Sequence, residues 1–159
     1  MAASACEGGG ASVQTGAEGV AELGGKVIVR ETEWSVTESP EVEVWGDSGS
    51  GKFTNRKTTR LDATGSITGK MDCEKGKQIY SLAGTNQRIV EIHTELVLWE
   101  QKGTRCYWAF PCSVITNFNV TVDMDTNKAT VWSFDFGSDG PYYRPEDPSA
   151  PSHQYPDEV

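Results

Sequence analysis

Residues 113–136 read SVITNFNVTVDMDTNKATVWSFDF. On the first arm Val114, Thr116, Phe118, Val120 and Val122 take one side, and Ile115, Asn117, Asn119, Thr121 and Asp123 the other. A polar turn at Asp125–Lys128 follows. Ala129, Val131, Ser133 and Asp135 then alternate with Thr130, Trp132, Phe134 and Phe136. Alternation on both arms of a short turn predicts a long hairpin with one buried face. No proline interrupts it. A long hairpin, polar on one side and without catalytic residues, builds a wall, so the stretch reads as architecture before it reads as chemistry.

Outward from the hairpin the same period recurs. Val27–Thr37 and Glu41–Trp45 alternate, Thr64–Met71 is short and interrupted by glycine, Arg88–Gln101 is a long strand, and Lys102-Gly103 turns it into Thr104–Phe110. Glu74–Leu82 is the one helical pattern, with Ile79 and Leu82 on one face, Asp72 as N-cap and Gly84 as stop. Trp34, Trp45, Trp99, Trp108 and Trp132 fall about one per strand, as core plugs would. The predicted fold is mainly β: a β-sandwich or barrel with one short flanking helix and extended terminal arms. It divides into a Gly/Ala-rich N-terminal arm (1–25), a β domain (26–137) and a Pro/Tyr-rich C-terminal arm (138–159).

With 159 residues the chain has room for one domain with a core. Only 36% of residues are hydrophobic and 17 are glycine, which favours a thin, turn-rich β structure over a thick α/β core. A net charge of −9 argues against tight binding to duplex nucleic acid, because phosphates are repelled. Residues 1–14 lack the basic and apolar regions of a secretory signal, and no run approaches the ~18 apolar residues of a membrane span. The four cysteines, Cys6, Cys73, Cys106 and Cys112, form no CxxC, and His93 and His153 lie far from them in sequence. No metal site and no cofactor is expected on that spacing, and synthesis in a reducing cytoplasm is.

Three local motifs suggest chemistry and fail on detail. Gly46–Lys52, GDSGSGK, matches the start of a P-loop, but Phe53 stands where the magnesium-binding hydroxyl belongs and no helical periodicity follows. Gly46–Gly49 resembles a serine-protease nucleophile segment without a histidine placed to act as base. Asp123, Asp125 and Asn127 have calcium-loop spacing, but Lys128 and Phe134 occupy the glycine and glutamate positions. No catalytic residue is assigned, and the chain is read as a non-enzyme.

Lys52, Arg56, Lys57 and Arg60 set four positive charges in nine residues of an acidic chain. Between identical subunits assembled head to tail, this loop could meet an acidic surface of the next copy. Tyr142, Tyr143 and Tyr155 sit in a tail holding five of the seven prolines, and they are the candidate anchors of an arm laid on a neighbour. These seven residues are the expected subunit interface.

The order of these pieces is similar to a known family. WSVTESPEVEVW (34–45), a Gly-rich basic loop, RLDATGSITGKMD (60–72) and CSVITNFNVTVDMDTNKATVWSFDFGSDGP (112–141) together resemble the major tail tube proteins of long-tailed bacteriophages. The resemblance covers about residues 26–141. It implies a structural virion protein, made in the host cytoplasm and located in the tail. Hexameric rings would stack head to tail into a tube for genome delivery, with the Lys52–Arg60 loop between rings. The implied partners are other copies of the chain, a tape measure protein and a tail terminator. DNA would be met only in passage, and no membrane is involved. A capsid decoration (cement) protein and a carbohydrate-binding module with exposed aromatics are the alternatives.

Overall fold

The computed structural model describes residues 14–28, 30–46, 49, 51–71, 77–80, 88–91, 93–125 and 127–156. Strands dominate: β1 (Val20–Leu23), β2 (Lys26–Val27), β3 (Glu31–Glu38), β4 (Glu41–Trp45), β5 (Asn55–Arg60), β6 (Ala63–Lys70), β7 (His93–Trp99), β8 (Tyr107–Thr121) and β9 (Val131–Ser138). Seven of them form one antiparallel sheet in the order β2-β1-β7-β8-β9-β6-β3, while among the described residues β4 and β5 pair only with each other. Of the expected helix, Lys77–Tyr80 is one helical turn, α1. Its cap Asp72, its flanks at 74–76 and 81–82 and its stop Gly84 lie outside the described residues.

β8 and β9 are the expected hairpin, from Ser113↔Ser138 to Thr121↔Val131. Trp132, Phe134 and Phe136 are buried on one face of β9. The first arm departs from strict alternation. A bulge between Ile115 and Asn117 inserts one residue, so the inward set changes from Ile115 to Phe118 and Val120. A period-two reading placed Ile115 on the polar side, and it is in the core.

β8 is fifteen residues long, and its length lets it change partners. Tyr107 to Val114 pairs with β7, and Ser113 to Thr121 pairs with β9. The exchange falls at Ser113 and Val114, which pair with both strands. Beyond it Ala63, Ile67 and Gly69 of β6 are buried beneath the β9 aromatics. A Cβ on Gly65 would lie 2.0 Å from the Ser35 carbonyl and 2.6 Å from the Phe136 ring; one on Gly69 would lie 2.3 Å from the Trp132 ring. The glycine interruptions seen in sequence are therefore slots for two aromatic rings.

Among the described residues the sheet does not close into a barrel by backbone pairing, but its ends approach. Glu31 on β3 accepts a hydrogen bond from the Ala21 amide on β1 (2.8 Å). Val20–Leu23 itself corrects an expectation: it was assigned to the N-terminal arm and instead pairs with β7. Gly24 and Gly25 have φ of 61° and 82° and join Leu23 to its partner Lys26, which is the geometry of a tight type I′ hairpin. Apolar Val20, Ala21 and Leu23 gain burial there that the Gly-rich composition around them hides. Residues 1–13 lie outside the described residues.

Candidate assembly surface

Every residue of β4 and β5 is exposed. Residues facing each other across an antiparallel pair share a side, so Glu43↔Lys57 and Trp45↔Asn55 occupy one face, Val42↔Thr58 and Val44↔Arg56 the other. A bulge between Glu41 and Val42 offsets the base, where Glu41 faces Arg60 with 3.8 Å between their charged groups. At the far end Lys52 Nζ stands 5.5 Å from the centroid of the Phe53 ring. The four cations are thus on one projecting ribbon, but they do not form one patch. Arg56 and Lys57 point to opposite faces, and Arg60 is matched to a carboxylate.

The same ribbon exposes apolar surface: Val44 is 53% exposed, Phe53 73% and nearby Leu61 63%. Trp45, expected as a core plug, is 40% exposed here. Trp99 and Trp132 are fully buried, and each indole N–H has an acceptor, Glu22 Oε2 at 2.8 Å and the Lys70 carbonyl at 3.1 Å. An isolated two-stranded ribbon is marginal in water, and one that displays valine, tryptophan and phenylalanine alongside charge has the composition of a contact surface.

The C-terminal tail lies on its own sheet. Tyr143 exchanges backbone hydrogen bonds with Ala109 (2.9 and 3.0 Å). Tyr142 stacks on Phe110 and donates to Glu38 Oε2 (2.6 Å), and Arg144 donates to Glu38 Oε1 (2.6 Å). Burial works against the Glu38 charge, yet the bonds from Arg144 and Tyr142 hold its carboxyl below the usual range. Tyr142 is pushed up to about 12, by burial first and then by its bond to that carboxylate. Tyr155 packs edge-on against Trp99 and donates to the Glu18 carbonyl (2.9 Å). The three tyrosines expected to anchor on a neighbour are spent within the chain. The physical reason is that β7 and the start of β8 leave Trp99, Tyr107 and Ala109 needing a cover, which the tail supplies.

Other sequence candidates fall as follows. Asp123 and Asp125 accept bonds from the Asp125 and Asn127 amides (2.9 and 3.1 Å), so the calcium-like spacing builds a hairpin turn. The P-loop-like segment runs into strand β5; its Asp47, Ser48 and Ser50 lie outside the described residues. Local spacing missed one cluster. His93, Cys112 and Asp139, separated by 19 and 27 residues, converge where β7, β8 and β9 meet. Only strand register could have announced it.

No family model and no curated protein matches the sequence. Solved structures do. A chain from the tail of an empty gene transfer agent particle with C6 symmetry aligns at TM-score 0.54 and 14% identity, covering 75% of this chain and 84% of that one. A chain of the sheath–tube complex of the PVC extracellular contractile injection system aligns at 0.57 and 11%, covering 77% and 85%. The tube-terminating cap of the anti-feeding prophage aligns at 0.61 and 11%, covering 87% and 95%. The chain has the fold of subunits from these tail and tube assemblies, which agrees with the likeness to tail tube proteins read from its sequence.

Proposed function

We propose that the chain is a structural subunit of a phage-type tail tube, assembling into six-membered rings that stack into a conduit for a genome. The observation that carries the reading is the fold shared over most of the chain with subunits of such assemblies, among them a tail of C6 symmetry. The β4–β5 ribbon is the part free to reach another copy. Its apolar residues supply burial, and Lys52, Arg56 and Lys57 supply encounter and register against an acidic neighbour. The lumen is lined by the outer face of the β8–β9 hairpin. Asn117, Asn119, Thr121, Val131, Ser133 and Asp135 share that face and include no cation, so DNA passes without adhering. Glu31 is not part of that face: it is packed between β1 and β3, where it accepts from the Ala21 amide.

Tape measure and terminator proteins are the further partners of this reading, and the tail is its location. The role is structural, without catalysis. Among the described residues no helix is long and apolar enough to cross a membrane. Electron microscopy of the concentrated protein tests the proposal. Six-fold rings or tubes are expected, with contacts burying well above ~1,000 Å². A protein that remains monomeric with no strand-mediated self-contact sinks it. Single rings that never stack would instead favour a tube-end subunit, in keeping with the likeness to a terminating cap.

A further inference from the structure

Three strands bring three unlike ligands to one point. His93 opens β7 and pairs with Val114; Ser113 pairs with both Thr94 and Ser138. Cys112 precedes Ser113, and Asp139 follows Ser138 with its amide donating to the Cys112 carbonyl (2.9 Å). By alternation His93, Cys112, Val114 and Asp139 fall on one face. Their side chains meet there. His93 Nδ1 is 2.9 Å from Asp139 Oδ2, and Cys112 Sγ is 3.8 Å from that nitrogen and 3.9 Å from that oxygen. Ser113 is fully buried, and its Oγ donates to the Thr94 carbonyl (2.9 Å), so the backbone beneath the three is pinned.

This arrangement is not a nucleophile relay. A relaying histidine uses one ring nitrogen for the acid and the other for the thiol. Here both groups address Nδ1, so the three donor atoms surround a single point, as ligands do. We propose that His93, Cys112 and Asp139 form a binding site for a thiophilic divalent cation of the zinc class. Thiolate and imidazole select such ions over magnesium or calcium, which take oxygen sets. Bond lengths of about 2.3 Å to sulfur and 2.0–2.1 Å to nitrogen or oxygen put tetrahedral ligands roughly 3.3–3.6 Å apart. The two sulfur separations are a few tenths of an ångström wider. The His93–Asp139 separation is shorter because a hydrogen bond now spans it, and that bond opens to admit the ion. On binding, the thiol proton passes to solvent and the imidazole ligates as its Nε2–H tautomer, which leaves the Nδ1 lone pair for the ion. His93 and Asp139 side chains are 58% and 54% exposed, which leaves the fourth position open to water. A bound ion would clamp β7, β8 and β9 where β8 changes partners. The proposal is independent of the tube reading.

Cobalt(II) titration of the full chain carrying Cys6→Ser and Cys73→Ser tests it. One equivalent should produce the thiolate-to-cobalt charge-transfer band and intense d–d bands of four-coordination, and zinc should bleach both. Cys112→Ser should abolish the charge-transfer band. His93→Gln and Asp139→Asn should each weaken binding at least about tenfold, since even outer partners of metal ligands cost 10–100-fold. Circular dichroism confirms that each variant is folded, and zinc should raise the melting temperature of the parent but not of Cys112→Ser. Absence of the charge-transfer band in the parent, or its persistence in Cys112→Ser, overturns the proposal.

Discussion

At the scale of single residues, two glycines and one glutamate carry the fold's closest tolerances. Gly65 and Gly69 face Phe136 and Trp132 across the β6–β9 pair, and a methyl at either has no room. Overpacking of this kind costs about 1–3 kcal/mol or more. Gly65→Ala and Gly69→Ala are therefore each expected to lower the melting temperature by roughly 2–12 °C, at 2–4 °C per kcal/mol for a chain of this size. A calorimetric melt unchanged in both would contradict the slot geometry. Glu31 gives a prediction with a sign. Burial raises its carboxyl from 4.5 to about 8, against the Ala21 amide bond, which lowers it. Its Oε2 is buried with no hydrogen-bond partner among the described residues. The folded state thus holds a proton that the unfolded chain has already released, so stability falls as pH rises from about 4.5 to about 8. Glu31→Gln keeps the acceptor for Ala21 and cannot titrate. Chemical denaturation across that window should show a decline in the parent that the variant lacks; parallel curves would assign the decline to other groups.

At the scale of elements, the two hairpins differ in what stabilises them. β8–β9 is held by a buried aromatic face, whereas β4–β5 is exposed throughout. Substitution on the second should leave the monomer's stability within about 0.5 kcal/mol while impairing assembly. Val44→Asp with Phe53→Ser is expected to block stacking, and Arg56→Glu with Lys57→Glu to slow it. High salt should slow the parent similarly, because rim charges govern encounter and are screened. Light scattering reads both, and normal assembly kinetics in the double reversal at low salt would make this ribbon a solvated turn. The C-terminal segment behaves oppositely. Removing residues 141–159 strips Tyr142 from Phe110 and Tyr155 from Trp99. A loss on the order of 3 kcal/mol or more is expected, visible as a lower melting temperature of the monomer itself. A truncated chain that melts like the parent would show that the tail is dispensable to its own domain.

At the scale of the whole molecule, an acidic chain with a cation-free outer face on β8–β9 suits a channel that nucleic acid crosses. Tubes of the parent should fail to retain duplex DNA at about 50 mM salt, and tubes carrying Asn117→Lys and Asp135→Lys should bind it, with affinity falling steeply as salt rises. Equal retention by both in a filter assay would move the lumen to another face. Strand content, the long hairpin and the polar turn at Asp125–Lys128 were legible because period-two alternation and turn chemistry are local properties of consecutive residues. So was the exposed basic segment, since charge density is read directly. What depended on distant pairing was not legible. The bulge after Ile115 moved that residue inward, and Val20–Leu23 became a strand only because β7 offered an edge. The tail found its cover on Trp99 and Phe110, far away in sequence. His93, Cys112 and Asp139 met only because β8 spans two partners. Local periodicity thus marked most of the strands, though not Val20–Leu23 or Asn55–Arg60, and the sides they present up to the bulge after Ile115. Registry and burial between segments far apart in the chain, which no short window contains, decided which side chains touch.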